Sequence, residues 1–363
     1  MLQRQNTLNF FYKLFLKERN NRRLPVAKTG FRVKIVCMKK GPGFKPDEII
    51  FAVTDRCNLR CKHCFVTRKN IDLTPEDSIN FLKSCLGSEI SKIGFSGGEP
   101  FLNLNFLLEI STFAVGHGLM FDRVMTNGVW WGTEKQLKNS LESLYQTGFD
   151  GKIGISWDSF HNQSPEQIGK FCTTAFEIWG DGTVIEIQSV IPEERHGNHL
   201  TDNFRKLAEI LGCKTKTFLN TRTGEGSVIL ENTTVYIKAD CTPLCYKPED
   251  PRSWRAKHWF RENYCRNSGQ LLYVHPDGTI APCCGTGNEN PSLKIGSIKQ
   301  TLLEILKQAE ANEFVQICFK TGLLSEVRRE AKKRNIFPGK TQDPCAACSL
   351  LCNFREQRFP CHQ

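Results

Sequence analysis

Short apolar runs rich in β-branched residues alternate with amphipathic segments of helical period between about residue 48 and residue 220. From the second run onward they recur roughly every 30 residues, the length of one strand–helix–strand unit. Six strands, each followed by a crossover, predict an α/β fold with a parallel sheet, either curled into a barrel or open. The strands are predicted near Ile49–Val53, Ile93–Phe95, Val124–Thr126, Ile153–Trp157, Val184–Val190 and Lys216–Leu219.

The segments between the apolar runs carry helix signals. Thr74 can cap a first turn that has Pro75 at its first helical position, and apolar residues recur after it. Binding sites in such sheets lie at the carboxyl ends of the strands, so functional side chains are expected in the loops that follow them. Further helices are predicted near Leu104–Val115, Glu134–Tyr145, Pro165–Trp179 and Asp202–Leu211.

The loop after the first predicted strand contains Cys57, Cys61 and Cys64 in the spacing C-x3-C-x2-C. Three thiolates leave an iron–sulfur cluster with one iron open to a small molecule, whereas a structural zinc site closes its shell with four ligands. The spacing therefore favours a reactive cluster. The alternative is a zinc site with His63 as the fourth ligand.

Three later strands also lead into residues suited to holding a ligand. The second precedes Ser96-Gly97-Gly98-Glu99-Pro100, where two glycines allow close backbone approach and Glu99 can accept hydrogen bonds from an ammonium group. The third precedes Thr126-Asn127-Gly128. At the end of the fourth, strand alternation puts Ser156 and Asp158 on one face, where they can bond ribose hydroxyls.

The cysteine loop and these motifs, in this order at the ends of successive strands, resemble the radical S-adenosylmethionine (SAM) superfamily over roughly residues 48–223. The resemblance implies a partial (β/α)6 barrel in which the open iron of a 4Fe-4S cluster binds SAM. It also implies that His63 packs on the adenine. The other SAM-contacting positions that it implies are Gly97, Gly98, Glu99, Asn127, Ser156 and Asp158.

Beyond residues 224–226 the repeat stops and cysteines crowd together, which predicts a second domain. Apolar arms on both sides of Pro276-Asp277-Gly278 predict a β-hairpin that ends at the adjacent pair Cys283-Cys284. Four thiols then make a set that suits one cluster or, equally well, structural zinc. They are Cys265, Cys283, Cys345 and Cys348.

This second region resembles the Twitch and SPASM auxiliary-cluster domains of peptide-modifying radical SAM enzymes. The resemblance includes Cys265, Gly278 and Cys283 in the spacing Cys-x12-Gly-x4-Cys. It implies one auxiliary 4Fe-4S cluster, because Phe354 stands where the two-cluster version has a cysteine. No role is assigned to Cys241, Cys245, Cys318, Cys352 or Cys361.

Consecutive residues of an extended strand point to opposite sides, so Cys284 should face away from a cluster bound by Cys283. A free thiol at the barrel mouth is a good hydrogen-atom donor to a carbon radical, although a cysteine packed as a small hydrophobe is the alternative. The adjacent pair resembles radical SAM epimerases of ribosomally made peptides, in which the second cysteine quenches the substrate radical. The stretches at 126–132 and 155–161 agree with that subgroup.

The resemblance thus implies a catalytic role for Cys284 in converting L- to D-residues of a precursor peptide, with a one-electron reductant such as flavodoxin or ferredoxin. A second possibility is a radical SAM enzyme that cross-links or dehydrogenates a peptide through the auxiliary cluster. A third, from another class, is a zinc-bound scaffold that binds nucleic acid without catalysis. The basic runs at 17–23 and 328–334 lack interleaved aromatics, so no nucleic acid is expected despite a net charge of +11.

Composition limits the cellular location and the class of protein that can be expected. Seventeen clustered cysteines among 363 residues favour intracellular metal ligands over a secreted disulfide framework, which predicts a reduced cytoplasm. No apolar stretch approaches the roughly 20 residues of a membrane span, and the short segment Leu8–Leu16 is better suited to a docking helix. We expect an arm at 1–47, the barrel at 48–225 and the auxiliary domain at 226–363.

Overall fold

The structure is a computed structural model that describes residues 41–191, 198–220, 225–261, 263–265, 269–336 and 338–355. The expected arm lies outside these ranges apart from residues 41–47, and the predicted docking helix lies outside them entirely. Among the helices described, none is long and apolar enough to cross a membrane.

The described strands form one sheet in the order β11-β10-β9-β1-β2-β3-β4-β5-β8-β7-β6. The run from β9 through β1–β5 to β8 pairs in parallel, and two antiparallel strands extend it on each side. The strands are β1 (Glu48–Ala52), β2 (Lys92–Ser96), β3 (Met120–Thr126), β4 (Lys152–Ser156), β5 (Ile185–Ile191), β6 (Lys214–Leu219), β7 (Gly226–Glu231), β8 (Tyr236–Pro243), β9 (Gly269–Val274), β10 (Thr279–Cys283) and β11 (Gly296–Ser297).

A helix follows each of the first five strands, as the pattern predicted. Hydroxyl side chains cap three of them, including Thr74, whose Oγ1 accepts a hydrogen bond from the Asp77 amide. The helices are α1 (Pro75–Cys85), α2 (Leu104–Gly116), α3 (Glu134–Gln146), α4 (Pro165–Trp179) and α5 (Asn198–Ile210), and later α6 (Leu302–Ala311), α7 (Glu313–Gln316), α8 (Leu323–Lys333) and α9 (Pro344–Arg355), with a π-helical turn (Ile317–Thr321) after α7.

The prediction of Lys216–Leu219 as the sixth parallel strand is wrong. These residues lie in β6, which pairs antiparallel with β7, and it is β8 that pairs in parallel with β5. The side chains of β6 are exposed from Lys214 to Phe218, whereas Ile237, Ala239 and Cys241 of β8 alternate as buried residues. A central position in the sheet therefore suits β8 and not β6. The expected domain boundary at 225/226 falls at the start of β7 and stays a prediction.

The predicted hairpin is confirmed as β9 and β10. Gly278, in its turn, has φ +77°, a conformation that favours glycine. Strand β9 also pairs in parallel with β1, Glu48 opposite Leu271. Because Cys283 lies opposite Gly269, at the start of β9, the cysteine end of the hairpin stands beside the amino end of β1.

The two faces of β1 differ. Ile49 and Phe51 belong to the large core that the sheet forms with the helices, where the Phe51 ring meets the Phe106 ring of α2 edge-on at 5.7 Å between centroids. Ile50 and Ala52 point to the opposite face, the inner face, and pack with Tyr273 and other residues of the hairpin. The core thus fixes the strands from outside and leaves the inner face for a ligand.

Truncation of Phe106, which is fully buried, should test this outer core. Phe106→Ala is expected to lower the free energy of unfolding by about 3–5 kcal/mol, because it removes an aromatic ring from close-packed surroundings. Urea unfolding measures the change. Phe218→Ala, at a residue 59% exposed on β6, is the control and should change it by no more than about 0.5 kcal/mol.

Candidate active site

The loop with the first three cysteines starts after β1, and hydrogen bonds join the two ends of the loop. The Asp55 carboxylate accepts hydrogen bonds from the backbone amides of Lys69 (2.7 Å) and Ile71 (2.9 Å). The guanidinium of Arg56 donates two hydrogen bonds to the Asp72 carboxylate, at 2.9 and 2.7 Å. These contacts fix the loop at the carboxyl end of the first barrel strand.

Cys57, Cys61 and Cys64 all line one open pocket of about 680 Å³. The Cys57 sulfur lies 3.4 Å from the amide of Leu59 and 3.7 Å from Nδ2 of Asn127, which are suitable donors to a thiolate. The three thiols fit a metal centre that leaves one position to an exogenous ligand.

Arg68 is a residue of this loop that the sequence analysis missed. Its guanidinium donates to the carbonyl oxygens of Cys57 (3.4 Å) and Leu59 (2.5 Å) and lines the same pocket. It holds the backbone between the first two cysteines. No spacing rule singles it out, because its contacts are to backbone atoms.

Most of the predicted SAM-contacting residues meet at this pocket. They come from the loops after β1, β2 and β3 and from the end of β4. The lining residues among them are His63, Gly97, Gly98, Asn127 and Ser156.

The two glycines have a structural role besides the expected contact with SAM, which stays a prediction. A Cβ atom at Gly97 would lie 2.5 Å from the Thr54 carbonyl oxygen, and one at Gly98 would lie 2.2 Å from that of Arg56. Gly97 also has φ +127°. The glycines therefore allow the loop after β2 to approach the backbone leading into the cysteine loop, and they need not be explained by contact with a ligand.

Glu99 is completely buried and joins three segments. Its carboxylate accepts hydrogen bonds from the Asn127 amide (2.7 Å), the Thr126 hydroxyl (2.8 Å) and the Phe101 amide (3.2 Å). Burial raises its pKa to about 7, although these donors oppose the shift. Its predicted contact with an ammonium group stays a prediction.

Asp158 is buried beside His63 and His161, two histidines that line the pocket. Burial raises the pKa of its carboxyl, but the His161 ring at 2.9 Å and the Phe160 amide outweigh burial and hold the pKa below its ordinary value. His63 packs against the Phe160 ring at 4.8 Å, and its Nδ1 is buried without a hydrogen-bond partner among the described residues. An orphaned ring nitrogen at the pocket wall fits a bound ligand that supplies the missing partner. The expected ribose contact of Asp158 is untested.

The thiols of Cys57 and Cys61 hold their protons when no metal is present, because burial raises the pKa of each. Burial, together with the neighbouring Cys57 and Cys64, raises the pKa of Cys61 to about 11. Bound iron reverses this balance, because a coordinating thiol loses its proton.

The four cysteines predicted for the auxiliary cluster also come together. Cys265, Cys283, Cys345 and Cys348 line one small cavity between the hairpin, the π-helical turn and the start of α9. Their chemistry fits a four-thiolate cluster. Cys318 lines the same cavity, with its sulfur 3.6 Å from that of Cys348. The sequence analysis left it unassigned, since it stands in no C-x-x-C or hairpin motif.

Cys284 follows the hairpin strand and its side chain is exposed. Although part of the side chain reaches solvent, the protein packed around the thiol desolvates it and raises its pKa to about 11. The nearby Glu48 carboxylate adds to the increase, and Arg123 opposes it. The thiol therefore keeps its proton at neutral pH.

Two family matches agree with this geometry. Residues 51–173 match the radical SAM superfamily, and residues 265–349 match SPASM, an iron–sulfur cluster-binding domain. The chain carries a radical SAM domain and a C-terminal SPASM domain. It is a radical SAM enzyme, and its cofactors are SAM and 4Fe-4S clusters. The match favours the enzyme over a zinc-bound scaffold.

Several named proteins are similar to the chain. An uncharacterized protein of Methanocaldococcus jannaschii is 24% identical over 312 residues, 75% of this chain and 97% of that protein. The "Putative peptide biosynthesis protein YydG" of Bacillus subtilis is 21% identical over 83% of this chain and 91% of its own length. The GTP 3',8-cyclase of Aquifex aeolicus is 29% identical, over only 38% of this chain and 41% of the cyclase.

Solved structures are similar at lower identity. The structure titled "Native anSMEcpe with bound AdoMet and Cp18Cys peptide" is 15% identical, with a TM-score of 0.48 over 86% of this chain and 97% of that one. SuiB of Streptococcus suis is 15% identical, with a TM-score of 0.41 over 83% and 77%.

The buried carboxyl of Glu99 predicts a pH-dependent stability. Since its pKa is higher in the folded protein than in the unfolded chain, its stabilising contribution is complete below pH 4.5 and is lost as pH rises to about 7. Relative to Glu99→Gln, the free energy of unfolding should fall by up to about 3 kcal/mol across that interval. Urea unfolding without iron measures it. A difference between the two proteins that does not vary with pH would contradict the prediction.

Iron content tests the two metal centres separately. Anaerobically reconstituted protein should hold about eight irons and eight sulfides, and alanine at Cys57, Cys61 and Cys64 together should remove about half of both. Cys172→Ala, at a buried cysteine in α4, is the control and should remove none. Stoichiometric zinc with about four irons would mean that the auxiliary set binds zinc.

Proposed function

We propose that this enzyme converts L-residues of a ribosomally made precursor peptide into D-residues, with Cys284 as the hydrogen-atom donor. The bound cofactors supply a radical that removes the α-hydrogen of the residue. The chain itself positions the peptide and returns a hydrogen atom to the other face of the α-carbon.

The position of Cys284 relative to the inner face carries this proposal. The thiol lies near Glu48 and Arg123 at the amino end of the sheet, while the pocket with Cys57, Cys61 and Cys64 lies at the carboxyl end. Glu48 and Ala52 are separated by about 13 Å along β1, from the rise of a strand. A peptide segment on the inner face would have the cofactor pocket on one side and Cys284 on the other.

The inner face carries polar groups suited to such a segment. Gly94 and Gly154 place no side chain of their own on it, and neighbouring side chains cover them: Cβ atoms would lie 3.2 Å from the Glu48 carboxylate and 2.4 Å from the Met125 sulfur, respectively. Arg123 forms an ion pair of 3.1 Å with Glu186 on β5. Charged groups on this face can hydrogen-bond to the amides of an extended peptide.

In the proposed step the Cys284 S–H bond breaks homolytically and a C–H bond forms at the α-carbon. The thiol becomes a thiyl radical, and one electron and one proton restore it. The electron would come from a flavodoxin- or ferredoxin-type reductant through the auxiliary cluster, whose ligand Cys283 directly precedes Cys284. The name of the similar Bacillus subtilis protein, which refers to peptide biosynthesis, supports a peptide as the substrate.

Cys284→Ala should abolish formation of D-residues, because no thiol remains to return the hydrogen, while deoxyadenosine is still formed. The assay uses a short peptide encoded beside the gene, in deuterated water, with mass spectrometry and chiral amino-acid analysis. The wild-type product should gain about one mass unit per D-residue, because the thiol exchanges its hydrogen with solvent. Cys213→Ala, at a half-buried cysteine before β6, should behave like wild type.

Two outcomes would overturn the proposal. One is a Cys284→Ala enzyme that makes D-residues at the wild-type rate. The other is a wild-type product lighter by two hydrogens, which would indicate cross-linking or dehydrogenation.

A further inference from the structure

The auxiliary cavity contains one thiol more than a four-thiolate cluster can use. The four expected ligands and Cys318 all line it. Cys318 is only 4% exposed and its sulfur is 3.6 Å from the Cys348 sulfur. A buried thiol placed so close to a metal ligand requires an explanation.

The separation of the two sulfurs limits their possible roles. Sulfurs bound tetrahedrally to one metal atom at about 2.3 Å lie about 3.8 Å apart, so Cys318 and Cys348 are spaced to reach the same atom. In a 4Fe-4S cluster each iron already binds three sulfides and accepts a single cysteine. The two thiols therefore share one corner of the cluster, and only one of them is the ligand.

Local backbone geometry favours Cys348 as that ligand. It forms the C-x-x-C pair with Cys345, one helical turn away near the amino end of α9, and such a pair suits two ligands of one cluster. Cys318 stands in the π-helical turn, and its carbonyl oxygen accepts a hydrogen bond from the Cys265 amide at 2.8 Å. Single π-helical turns are frequent at functional sites.

The turn is held independently of α9. The Gly43 amide donates to the Phe319 carbonyl at 3.1 Å, and the Gly41 amide donates to that of Lys320 at 2.9 Å. The Phe319 ring also packs against Phe44, with 5.3 Å between ring centroids. Cys318 is thus fixed beside Cys348 by residues that do not bind the cluster as well as by Cys265.

We propose that Cys318 is a positioning residue of the auxiliary cluster, whose S–H group donates a hydrogen bond to the cluster-bound sulfur of Cys348. Such a bond stabilises the more negative, reduced cluster and raises its reduction potential. The proposal requires the auxiliary cluster but not the epimerase activity. Its test is therefore independent of the fate of the peptide.

The test uses the full chain with alanine at Cys57, Cys61 and Cys64, so that only the auxiliary cluster is present. Cys318→Ala should keep the iron and sulfide content and shift the reduction potential of the auxiliary cluster to a more negative value. Electron paramagnetic resonance during a redox titration measures the potential. Cys318→Ser keeps a donor of similar size and should return the potential towards that of the parent. Cys172→Ala, the matched buried cysteine, should leave the potential unchanged.

Two results would overturn the proposal. Loss of the cluster in Cys318→Ser, with an unchanged elution volume on gel filtration, would make Cys318 a ligand. An unchanged potential in Cys318→Ala, with the iron retained, would make it a packing residue.

Discussion

The parallel pairing of β9 with β1 is the interaction on which the relation between the two cysteine sites depends. Strand β1 leads at its carboxyl end into the loop with Cys57, and β9 runs beside it in the same direction. The hairpin partner β10 must then return towards the amino end, which is where Cys283 and Cys284 follow. One set of backbone hydrogen bonds thus places the loop with Cys57 and the Cys283-Cys284 pair at opposite ends of the parallel strands.

Much of this arrangement is predictable from the sequence because it depends on local patterns. Cysteine spacing identifies the first site, and the turn at Asp277-Gly278 identifies the hairpin. The sixth parallel strand is not predictable in the same way, since β6 and β8 both have strand-like sequences. Only the pairing with β5 distinguishes the two strands. Strand β5 pairs with β8, although β6 and β7 lie between them in the sequence.

Side chains whose role depends on tertiary contacts also escape sequence analysis. Cys318 joins the auxiliary cavity through a turn that is anchored by residues 41 and 43, far away in the sequence. Arg68 acts through carbonyl oxygens of its own loop. Gly97 and Gly98 line the pocket, yet the close neighbours that require them are backbone atoms of the chain itself.

The described strands form an open sheet, with β11 and β6 at its two edges. For the proposed peptide substrate, a closed cylinder would admit the chain only by threading from an end, so that residues near a terminus would be modified most readily. An open trough imposes no such rule, because an extended strand can settle in sideways at any point along its length. Which residue is selected would then depend on how the flanking sequence is held outside the trough, and positions in the middle of a long peptide would be as accessible as those at its tip.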